Sequence, residues 1–303
     1  MGVFRTMRIG MISFAYPIPQ EVDKDDAAAW ILDRADEWGL GCLHLAKLPE
    51  DDAKLSALAA KAWKLDIEID LQISRDIFQL GGSDDGNARI QFRHYLEVAQ
   101  KLGARILRTG YGCLTLETSR FSQNLPLRQH MDKLARSLQI ASDMLRDTDM
   151  MLAIENHCDF TGEQLADILD AVGSHRVGAA LDTANGYSVY CDPHDDAKLL
   201  ARHTMTTHIK DMRLVDNYYP GMNNLPLIPV GCELGTGHVD IPFILRTLAA
   251  SCPNSIGLHL IVEGWSPCLP PVETAKEKTD FIYNSIKYLK SLLLQMDKET
   301  QDE

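Results

Sequence analysis

Short apolar segments alternate along this chain with longer segments whose apolar residues recur at helical spacing. The first apolar segment, residues 7–13, runs into a turn region at Pro17 and Pro19, and residues 25–38 then carry a helical pattern that ends at Gly39. The same order recurs seven more times. The predicted strands are 42–45, 67–73, 105–109, 150–154, 177–181, 205–209 and 257–262, and the predicted helices that follow them are 51–64, 88–102, 127–145, 162–172, 197–202, 241–250 and 273–293.

Eight strand-then-helix units predict a parallel sheet whose crossover connections are right-handed. No linker rich in Ser, Gly or Pro divides the 303 residues, so we predict an α/β fold with a single (β/α)8 TIM-barrel domain over residues 1–303. A doubly wound open sheet is the alternative. The sequence disfavours it, because residues 14–17 follow the first strand as Phe-Ala-Tyr-Pro rather than as a glycine-rich phosphate-binding turn.

Two segments fall outside the repeating pattern. Residues 212–240 form the longest irregular stretch, with Tyr218 and Tyr219 in a sequence rich in Asn, Gly and Pro, and we interpret it as a lid-like insertion at the rim of the barrel. Residues 297–303 are mostly acidic and polar, and we expect this tail to fray.

Ionisable residues occur where four of the predicted strands end. They are Glu155, Asp182, His208 and Glu263. In a barrel of this type, the carboxyl ends of the strands form the catalytic face. Successive members of the set stand 27, 26 and 55 positions apart, which corresponds to one unit, one unit, and one unit plus the lid-like insertion. We therefore expect the four side chains to converge on one point.

Strand alternation supports this convergence, because residues two positions apart share a face of the sheet. If Glu263 points into the barrel, His259 and Ile261 do so as well. Asp182 would likewise share the inward face with Ala180. Small or apolar residues would then lie below the ionisable ones.

Three carboxylates and an imidazole around one point repel one another at neutral pH unless a cation lies between them, so the pattern predicts one divalent metal ion. Oxygen donors with one nitrogen favour Mn²⁺, with Mg²⁺, Co²⁺ or Zn²⁺ as alternatives. Taken singly, each acidic residue is better explained as a helix cap or an ion-pair partner, and His208 as a hydrogen-bonded residue of the rim. Their occurrence on four consecutive strands favours the metal site.

The charge balance restricts the classes of partner. The chain has 43 Asp and Glu against 30 Lys and Arg, a net charge of −13, which disfavours a nucleic-acid partner because phosphate binding requires clustered cations. Seven scattered cysteines without a CxxC pair indicate a reducing compartment. No apolar run approaches the roughly 20 residues needed to cross a bilayer, and the first ten residues do not resemble a signal peptide. We expect a cytoplasmic protein with no membrane partner, and a homo-oligomer stays open.

Five short motifs carry these residues and their neighbours. They are Ile154-Glu155-Asn156-His157, Leu181-Asp182-Thr183-Ala184-Asn185, His208-Ile209-Lys210-Asp211, Gly235-Thr236-Gly237-His238-Val239-Asp240 and Val262-Glu263. In order and spacing, over nearly the whole chain, they resemble the motifs of the xylose-isomerase-like barrels in the sugar phosphate isomerase/epimerase family. The resemblance implies that Glu155, Asp182, His208 and Glu263 are the metal ligands.

Two departures from the family pattern narrow the prediction. Asn185 stands where the tagatose-epimerase type has His, so a substrate contact differs. The additional histidines with which endonuclease IV binds three metals are replaced after strands three and four by residues 71–73 and 108–110, whose sequences are Leu-Gln-Ile and Arg-Thr-Gly. An endonuclease IV-like nuclease is therefore disfavoured.

The resemblance and the predicted metal site together imply an enzyme that acts on a small carbohydrate. We expect a sugar or keto-sugar isomerase or epimerase that removes the proton α to a carbonyl and proceeds through an enediolate, with Glu155 and Glu263 as base and acid. The alternative is a dehydratase or lyase that uses the same metal site on a keto-sugar, keto-glycoside or inosose. A barrel that has lost catalysis and serves as a binding subunit is a further alternative.

Five more side chains are predicted to bind substrate: His157, Asn185, Lys210, Arg108 and Trp265. Lys210 shares the inward face with His208, and either Lys210 or Arg108 is expected to bind a substrate oxygen, although an ion pair between Lys210 and Asp211 explains the lysine equally well. His157 is interpreted as a proton shuttle or as a hydrogen-bond partner of the site, and Trp265 as a wall of the pocket or a packing residue. No role is assigned to His44 or His259.

Overall fold

The computed structural model describes residues 2–112, 115–219, 221, 224–264, 268 and 271–302, and it contains a closed barrel of eight parallel strands. The strands of the chain are β1 (Arg8–Ile12), β2 (Cys42–Leu45), β3 (Glu68–Gln72), β4 (Ile106–Gly110), β5 (Met151–Glu155), β6 (Val177–Asp182), β7 (Thr204–Ile209), β8 (Asp211–Asp216), β9 (Leu227–Cys232) and β10 (His259–Val262). The barrel has the order β1-β10-β7-β6-β5-β4-β3-β2, and β8 pairs with β9 in a separate sheet. The predicted fold class, a single (β/α)8 TIM barrel, is confirmed.

Within the described residues, eight α-helices follow the barrel strands. They are α1 (Ala27–Glu37), α2 (Asp52–Lys64), α3 (Asp85–Leu102), α4 (Leu127–Leu145), α5 (Gly162–Val172), α6 (Pro193–Leu200), α7 (Ile241–Ser251) and α8 (Ala275–Asp302). Local sequence sets their ends: Thr161 and Gln164 form a reciprocal capping box at the start of α5, and α3 ends at Gly103 in a left-handed conformation with φ of 70°. A search of the described helices finds none long and apolar enough to cross a membrane.

The strand side chains alternate between the barrel interior and the helix layer. Ile106, Ala153 and Ala180, together with Met205, form a small apolar cluster that is separate from the main core. The intervening Leu107 belongs to the large core that packs the strands against the helices. The barrel is therefore filled with apolar side chains at mid-height, and its inward polar residues lie above and below them.

A chain of ionic contacts crosses the barrel interior between β3 and β10, two strands that are not neighbours in the sheet. Nδ1 of His259 lies 2.7 Å from Asp70 and its Nε2 lies 3.0 Å from Glu68. Asp70 is fully buried and also accepts a hydrogen bond of 2.5 Å from the hydroxyl of Thr206. Arg108, also fully buried, lies 3.9 Å from Asp70. Opposite charges thus alternate along the axis, which lowers the cost of burying them.

The prediction of an irregular stretch over 212–240 is wrong for residues 212–216 and 227–232, which form two strands. Strands β8 and β9 form an antiparallel hairpin, paired from Asp211 opposite Cys232 to Asp216 opposite Leu227. The buried carboxylate of Asp211 holds the following turn, because it accepts hydrogen bonds from the backbone N–H groups of residues 235, 237 and 239. Asn217, Gly221, Asn224 and Pro226 lie between the two strands, in a segment of which residues 220, 222 and 223 are outside the described part.

The described part of the tail that the sequence predicted to fray is helical. Helix α8 continues to Asp302, and the side chain of Asp297 is fully buried. Asp297 forms an ion pair of 2.5 Å with Arg5 near the amino terminus. This long-range pair neutralises the charge of Asp297, a residue that the local sequence alone places in a solvated tail.

We expect replacement of His259 by Gln to change the pH dependence of stability. Burial acts to lower the pKa of His259, but Asp70 and Glu68 overcome it and raise the pKa from 6.5 to about 9. A raised pKa in the folded state contributes stability that is complete below about pH 6.5 and is lost as the pH rises through about 9. Between about pH 6 and 9.5, the native protein should lose on the order of 3 kcal/mol more unfolding free energy than His259→Gln.

Urea unfolding at a series of pH values measures this difference, and the exposed His94, replaced by Gln, is the matched control. Parallel stability curves for the native protein and His259→Gln would contradict the assigned ionic contacts.

Candidate metal centre

Glu155, Asp182, His208 and Glu263 lie at or directly beside the carboxyl ends of β5, β6, β7 and β10, four neighbouring strands of the barrel. One donor atom from each side chain lies within 4.8 Å of the donor atoms of the other three. The strand register aligns them, because His208 is level with Asp182 on one side and with Ile261 on the other. The structure therefore brings together the four residues that the sequence placed at strand ends.

The residues around Asp182 fix its carboxylate so that one oxygen faces the cluster. Oδ1 accepts hydrogen bonds from the backbone N–H groups of Ala184 and Asn185, both at 2.8 Å. The buried side chain of Asn156 accepts a hydrogen bond of 2.7 Å from the N–H of Asp182 and donates one of 3.0 Å to its carbonyl oxygen. Oδ2 then lies 2.9 Å from Nζ of Lys210. The end of β6 is thus held rigidly for one oxygen donor.

Burial and mutual repulsion make the three carboxylates unequal. Burial raises the pKa of Asp182 to about 7, with Lys210 opposing this rise and the other two carboxylates adding to it. Burial acts in the same direction on Glu155, but His208 lowers its pKa to about 2. Against burial, Lys210 and His208 hold the pKa of Glu263 well below its ordinary value. The side chains present therefore supply too little positive charge to keep three carboxylates ionised.

Three buried atoms of the cluster have no hydrogen-bond partner: Nδ1 of His208, Oδ2 of Asp182 and Oε2 of Glu263. Nδ1 of His208 lies 3.2 Å from Oε2 of Glu263 and 3.6 Å from Oε1 of Glu155. Buried polar atoms without a partner are costly, and an imidazole nitrogen with carboxylate oxygens is a donor set that suits Mn²⁺, Mg²⁺ or Zn²⁺. The residues present fit a divalent ion, and which ion binds stays a prediction.

His44 is a contact of the cluster that sequence reasoning missed. Its Nδ1 lies 3.1 Å from Nε2 of His208, and its Nε2 lies 3.0 Å from Oε1 of Gln72, whose Nε2 donates a hydrogen bond of 2.9 Å to the carbonyl of Ile73. Because Gln72 presents its oxygen, His44 carries its proton on Nε2 and accepts at Nδ1. His208 then carries a proton on Nε2, which leaves Nδ1, the nitrogen that faces the carboxylates, as the one that would bind a metal ion. The sequence signal that could have predicted this contact is a histidine on the inward face of β2.

Lys210 and Asn185, both predicted to bind substrate, lie directly against the cluster. Nζ of Lys210 is 2.9 Å from Asp182, 2.9 Å from Glu263 and 3.1 Å from Oδ1 of Asn185. Nδ2 of Asn185 donates a hydrogen bond of 3.1 Å to Glu155. The alternative that paired Lys210 with Asp211 is wrong, because the lysine is turned inward to the cluster.

Arg108 does not occupy the position expected for a substrate contact. Its side chain is 0% exposed, and the guanidinium lies 3.7 Å from Glu155 and 3.9 Å from Asp70. It also donates a hydrogen bond of 3.4 Å to the carbonyl of Thr207. Arg108 lies two residues before the end of β4 at Gly110, so it is too deep to reach solvent and instead supports Glu155 from within the barrel.

His157 lies in a second group, with Cys158 and Asp159, whose possible donor atoms are also within 4.8 Å of one another. Its ring packs beside Gly110, and the carboxylate of Asp159 accepts a hydrogen bond of 2.8 Å from the N–H of Gly112. His157 is therefore beside the cluster rather than one of its four converging members. The remaining predicted contact, Trp265, lies outside the described residues.

Comparison with known proteins identifies one matching family and one similar protein over nearly the full chain. Residues 32–285 match the family model described as xylose isomerase-like TIM barrel. The chain is 24% identical over 291 residues to the 3-oxo-isoapionate decarboxylase of Pectobacterium atrosepticum, covering 93% of this chain and 95% of that protein. The resemblance inferred from the short motifs is confirmed.

Solved structures share the fold, and two of them illustrate the likeness. An L-ribulose 3-epimerase superposes with a TM-score of 0.70 at 16% identity, covering 97% of both chains. A xylose isomerase-like TIM barrel protein from Mycobacterium smegmatis, solved in complex with magnesium, gives a TM-score of 0.70 at 15% identity, covering 97% of this chain and 98% of that one. At these identities the likeness establishes the fold alone.

Substitution of the cluster should reduce metal content without unfolding the barrel. Glu155→Gln, Asp182→Asn and His208→Ala each remove an anionic or imidazole donor, and each should weaken Mn²⁺ binding at least about tenfold. Metal analysis after dialysis measures occupancy, circular dichroism checks the fold, and Asp167→Asn on the exposed face of α5 is the control. Full metal content in all three variants would exclude this site.

His44→Leu should weaken Mn²⁺ binding about 10- to 100-fold, because the proton on Nε2 of His208 loses its acceptor and the tautomer is no longer fixed. Gln72→Leu, one hydrogen bond further away, should have a smaller effect in the same direction. Competition with a metal-sensitive dye measures both affinities. An unchanged affinity in His44→Leu would show that the tautomer is set in another way.

Proposed function

The chain belongs to the xylose isomerase-like TIM barrel family, and we propose that it is a divalent-metal-dependent sugar or keto-sugar isomerase or epimerase that removes a proton α to a carbonyl. One observation carries the proposal. The donor atoms of Glu155, Asp182, His208 and Glu263 lie within 4.8 Å of one another, and three of these residues have a buried atom without a hydrogen-bond partner. Mn²⁺ is the ion that we propose for this donor set.

When bound, the ion would polarise the substrate carbonyl and stabilise the negative charge that develops as the α C–H bond breaks. The four side chains differ in their access to a substrate. Those of Asp182 and His208 are 0% and 2% exposed, whereas those of Glu155 and Glu263 are 12% and 17% exposed. Asp182 and His208 can therefore hold the ion, and Glu155 and Glu263 are the groups that can reach a reacting carbon.

Glu155 and Glu263 are suited to act as a pair. Strands β6 and β7 separate their strands in the barrel, so the two carboxylates approach from different sides. One carboxylate takes the α-proton, and the other returns a proton to the opposite face or to the neighbouring carbon, which gives the epimer or the isomer. Nδ2 of Asn185 donates a hydrogen bond of 3.1 Å to Oε1 of Glu155, and the guanidinium of Arg108 lies 3.7 Å from Oε2, so both oxygens of this carboxylate are held beside the cluster.

A lyase is the second candidate, and two observations favour it. The chain is similar over nearly its full length to a decarboxylase, and Lys210 places a permanent positive charge in the site. Loss of CO2 from a 3-oxo acid generates the same negative charge beside a carbonyl, and one glutamate then supplies the proton. Expulsion of a β-substituent, as in a dehydratase, follows the same α-proton removal. The outcome therefore depends on the substrate, which we propose is a small polyhydroxylated carbonyl compound.

The hairpin β8–β9 is proposed to cover the barrel mouth. It begins at Asp211, directly after Lys210, and its outer face exposes Leu214, Leu227, Tyr218 and Tyr219 to about 40–55%. Segments of this kind at a barrel mouth commonly exclude water from the reaction.

Exchange of deuterium from D2O into substrate tests the function directly. With Mn²⁺ present, a panel of ketoses, inososes and keto-glycosides should include a compound that gains one deuterium, and product masses then separate isomerisation from elimination. Glu155→Gln and Glu263→Gln, each at saturating Mn²⁺, should lower net conversion at least about 100-fold, while one of them still permits exchange at the carbon served by the remaining glutamate. Glu163→Gln, at an exposed position of α5, is the control.

If either glutamate variant keeps near-native turnover under those conditions, that residue has no part in proton transfer. If no compound exchanges while 3-oxo acids release CO2, the decarboxylase replaces the isomerase as the conclusion.

A further inference from the structure

Lys210 occupies the place of a counter-charge in the cluster. Its ammonium lies 2.9 Å from Oδ2 of Asp182 and 2.9 Å from Oε2 of Glu263. Both oxygens are buried, the ammonium is their counter-charge, and both suit a metal ion. A divalent cation that binds both carboxylates would replace Lys210 as their counter-charge. The ammonium of Lys210 would then need another anionic partner.

The charge balance of the site has a positive excess when a divalent ion is bound. The ion would hold Glu155, Asp182 and Glu263 ionised, so they supply three negative charges, and Lys210 and Arg108, which lie within 4 Å of them, supply two positive charges. With a neutral His208, the two charges of the ion leave a single positive excess. The deeper pair of Asp70 and His259 is of opposite charge and does not alter the balance. An uncompensated charge among side chains that are 0–17% exposed is unfavourable.

Of the two cations, only Lys210 can be reached from outside. Its side chain is 14% exposed, whereas that of Arg108 is 0% exposed. The backbone of Lys210 is fixed, because its N–H donates a hydrogen bond of 2.8 Å to the hydroxyl of Thr183 and its carbonyl accepts one of 2.6 Å from the same hydroxyl. Oδ1 of Asn185 keeps the ammonium beside Glu155. An incoming group would therefore meet a positioned ammonium next to a proposed catalytic carboxylate.

We propose that the substrate carries a carboxylate, and that Lys210 binds this group once a divalent ion has taken over Asp182 and Glu263. The inference rests on the proposed metal-dependent function and names its substrate class: a polyhydroxylated acid rather than a neutral sugar. A monoanion matches the single positive excess. A phosphate dianion would exceed it and would lie beside the carboxylates with only one reachable ammonium, whereas phosphate sites usually combine several donors.

Binding of paired ligands to the full chain tests this without relying on turnover. Isothermal titration of the Mn²⁺-loaded protein compares D-xylonate with xylitol, which has the same chain length and no charge, and with ribitol 5-phosphate. We expect xylonate to bind at least about tenfold more tightly than xylitol to the loaded protein, and this advantage to fall to about twofold or less in Lys210→Met. Xylitol affinity should be the same in both proteins. Lys101→Met, at an exposed position on α3, is the control.

Metal affinity supplies the second readout. Lys210→Met should bind Mn²⁺ at least as tightly as the native chain, because a competing cation has been removed from two of the ligands. Lys210→Arg, which keeps the charge, should keep a preference for xylonate, and it covers the case in which Lys210→Met does not fold.

The outcomes separate the two proposals. If the native protein binds no divalent ion, the proposed function fails and this inference fails with it. If Mn²⁺ binds and xylonate has no advantage over xylitol, or keeps its full advantage in a folded Lys210→Met, the carboxylate is not bound by Lys210 and only this inference is overturned. Tighter binding of ribitol 5-phosphate than of xylonate would overturn the carboxylate assignment.

Discussion

The structure depends on one constraint, which is that three carboxylates converge inside a barrel where water cannot neutralise them. The ends of three strands bring Glu155, Asp182 and Glu263 together. None of these strands can turn its carboxylate outward without also turning the apolar side chains that pack against the helices. The surrounding residues answer this repulsion. Lys210 lies against two of the carboxylates and Arg108 against the third, while Asp182 is driven toward its neutral form. At this end of the barrel, the neighbouring cations do not fully neutralise the three carboxylates.

The same requirement explains the buried charges further down. Arg108 would itself be an isolated buried cation if it had only Glu155, and Asp70 balances it from below. Asp70 in turn contacts His259, which reaches Glu68 at the half-exposed end of the interior. Each charge is paired with the next, so the loss of one leaves its neighbour without compensation. The geometry of Glu155 is therefore tied to residues at the opposite end of the barrel.

The local pattern of apolar and polar residues was sufficient to predict the repeating strand-and-helix units of this structure. The barrel and the convergence of the four strand-end residues follow from alternation and spacing, because a closed parallel sheet leaves few places for a strand end to point. The pairing of His44 with His208 joins residues 164 positions apart across the interior, and no local pattern encodes it. The burial of Asp297 against Arg5 is of the same kind. The hairpin was missed for a different reason, since the turn residues between its strands dominate the composition of the segment.

Isomerase and decarboxylase chemistry begin from the same feature, a negative charge that develops beside a carbonyl held against a cation. In the proposed mechanism, the four-residue cluster would serve that first step in both reactions, so it would not determine which bond breaks. What distinguishes the reactions is the remainder of the substrate, and therefore the residues that contact it without binding the ion. In the described part of the chain, Lys210 and Asn185 both contact the cluster and are not among its four candidate ligands. A neutral sugar gives Lys210 no partner after metal binding, whereas an acid does. We therefore propose that the charge of Lys210, rather than the four candidate ligands, selects the substrate and with it the reaction class.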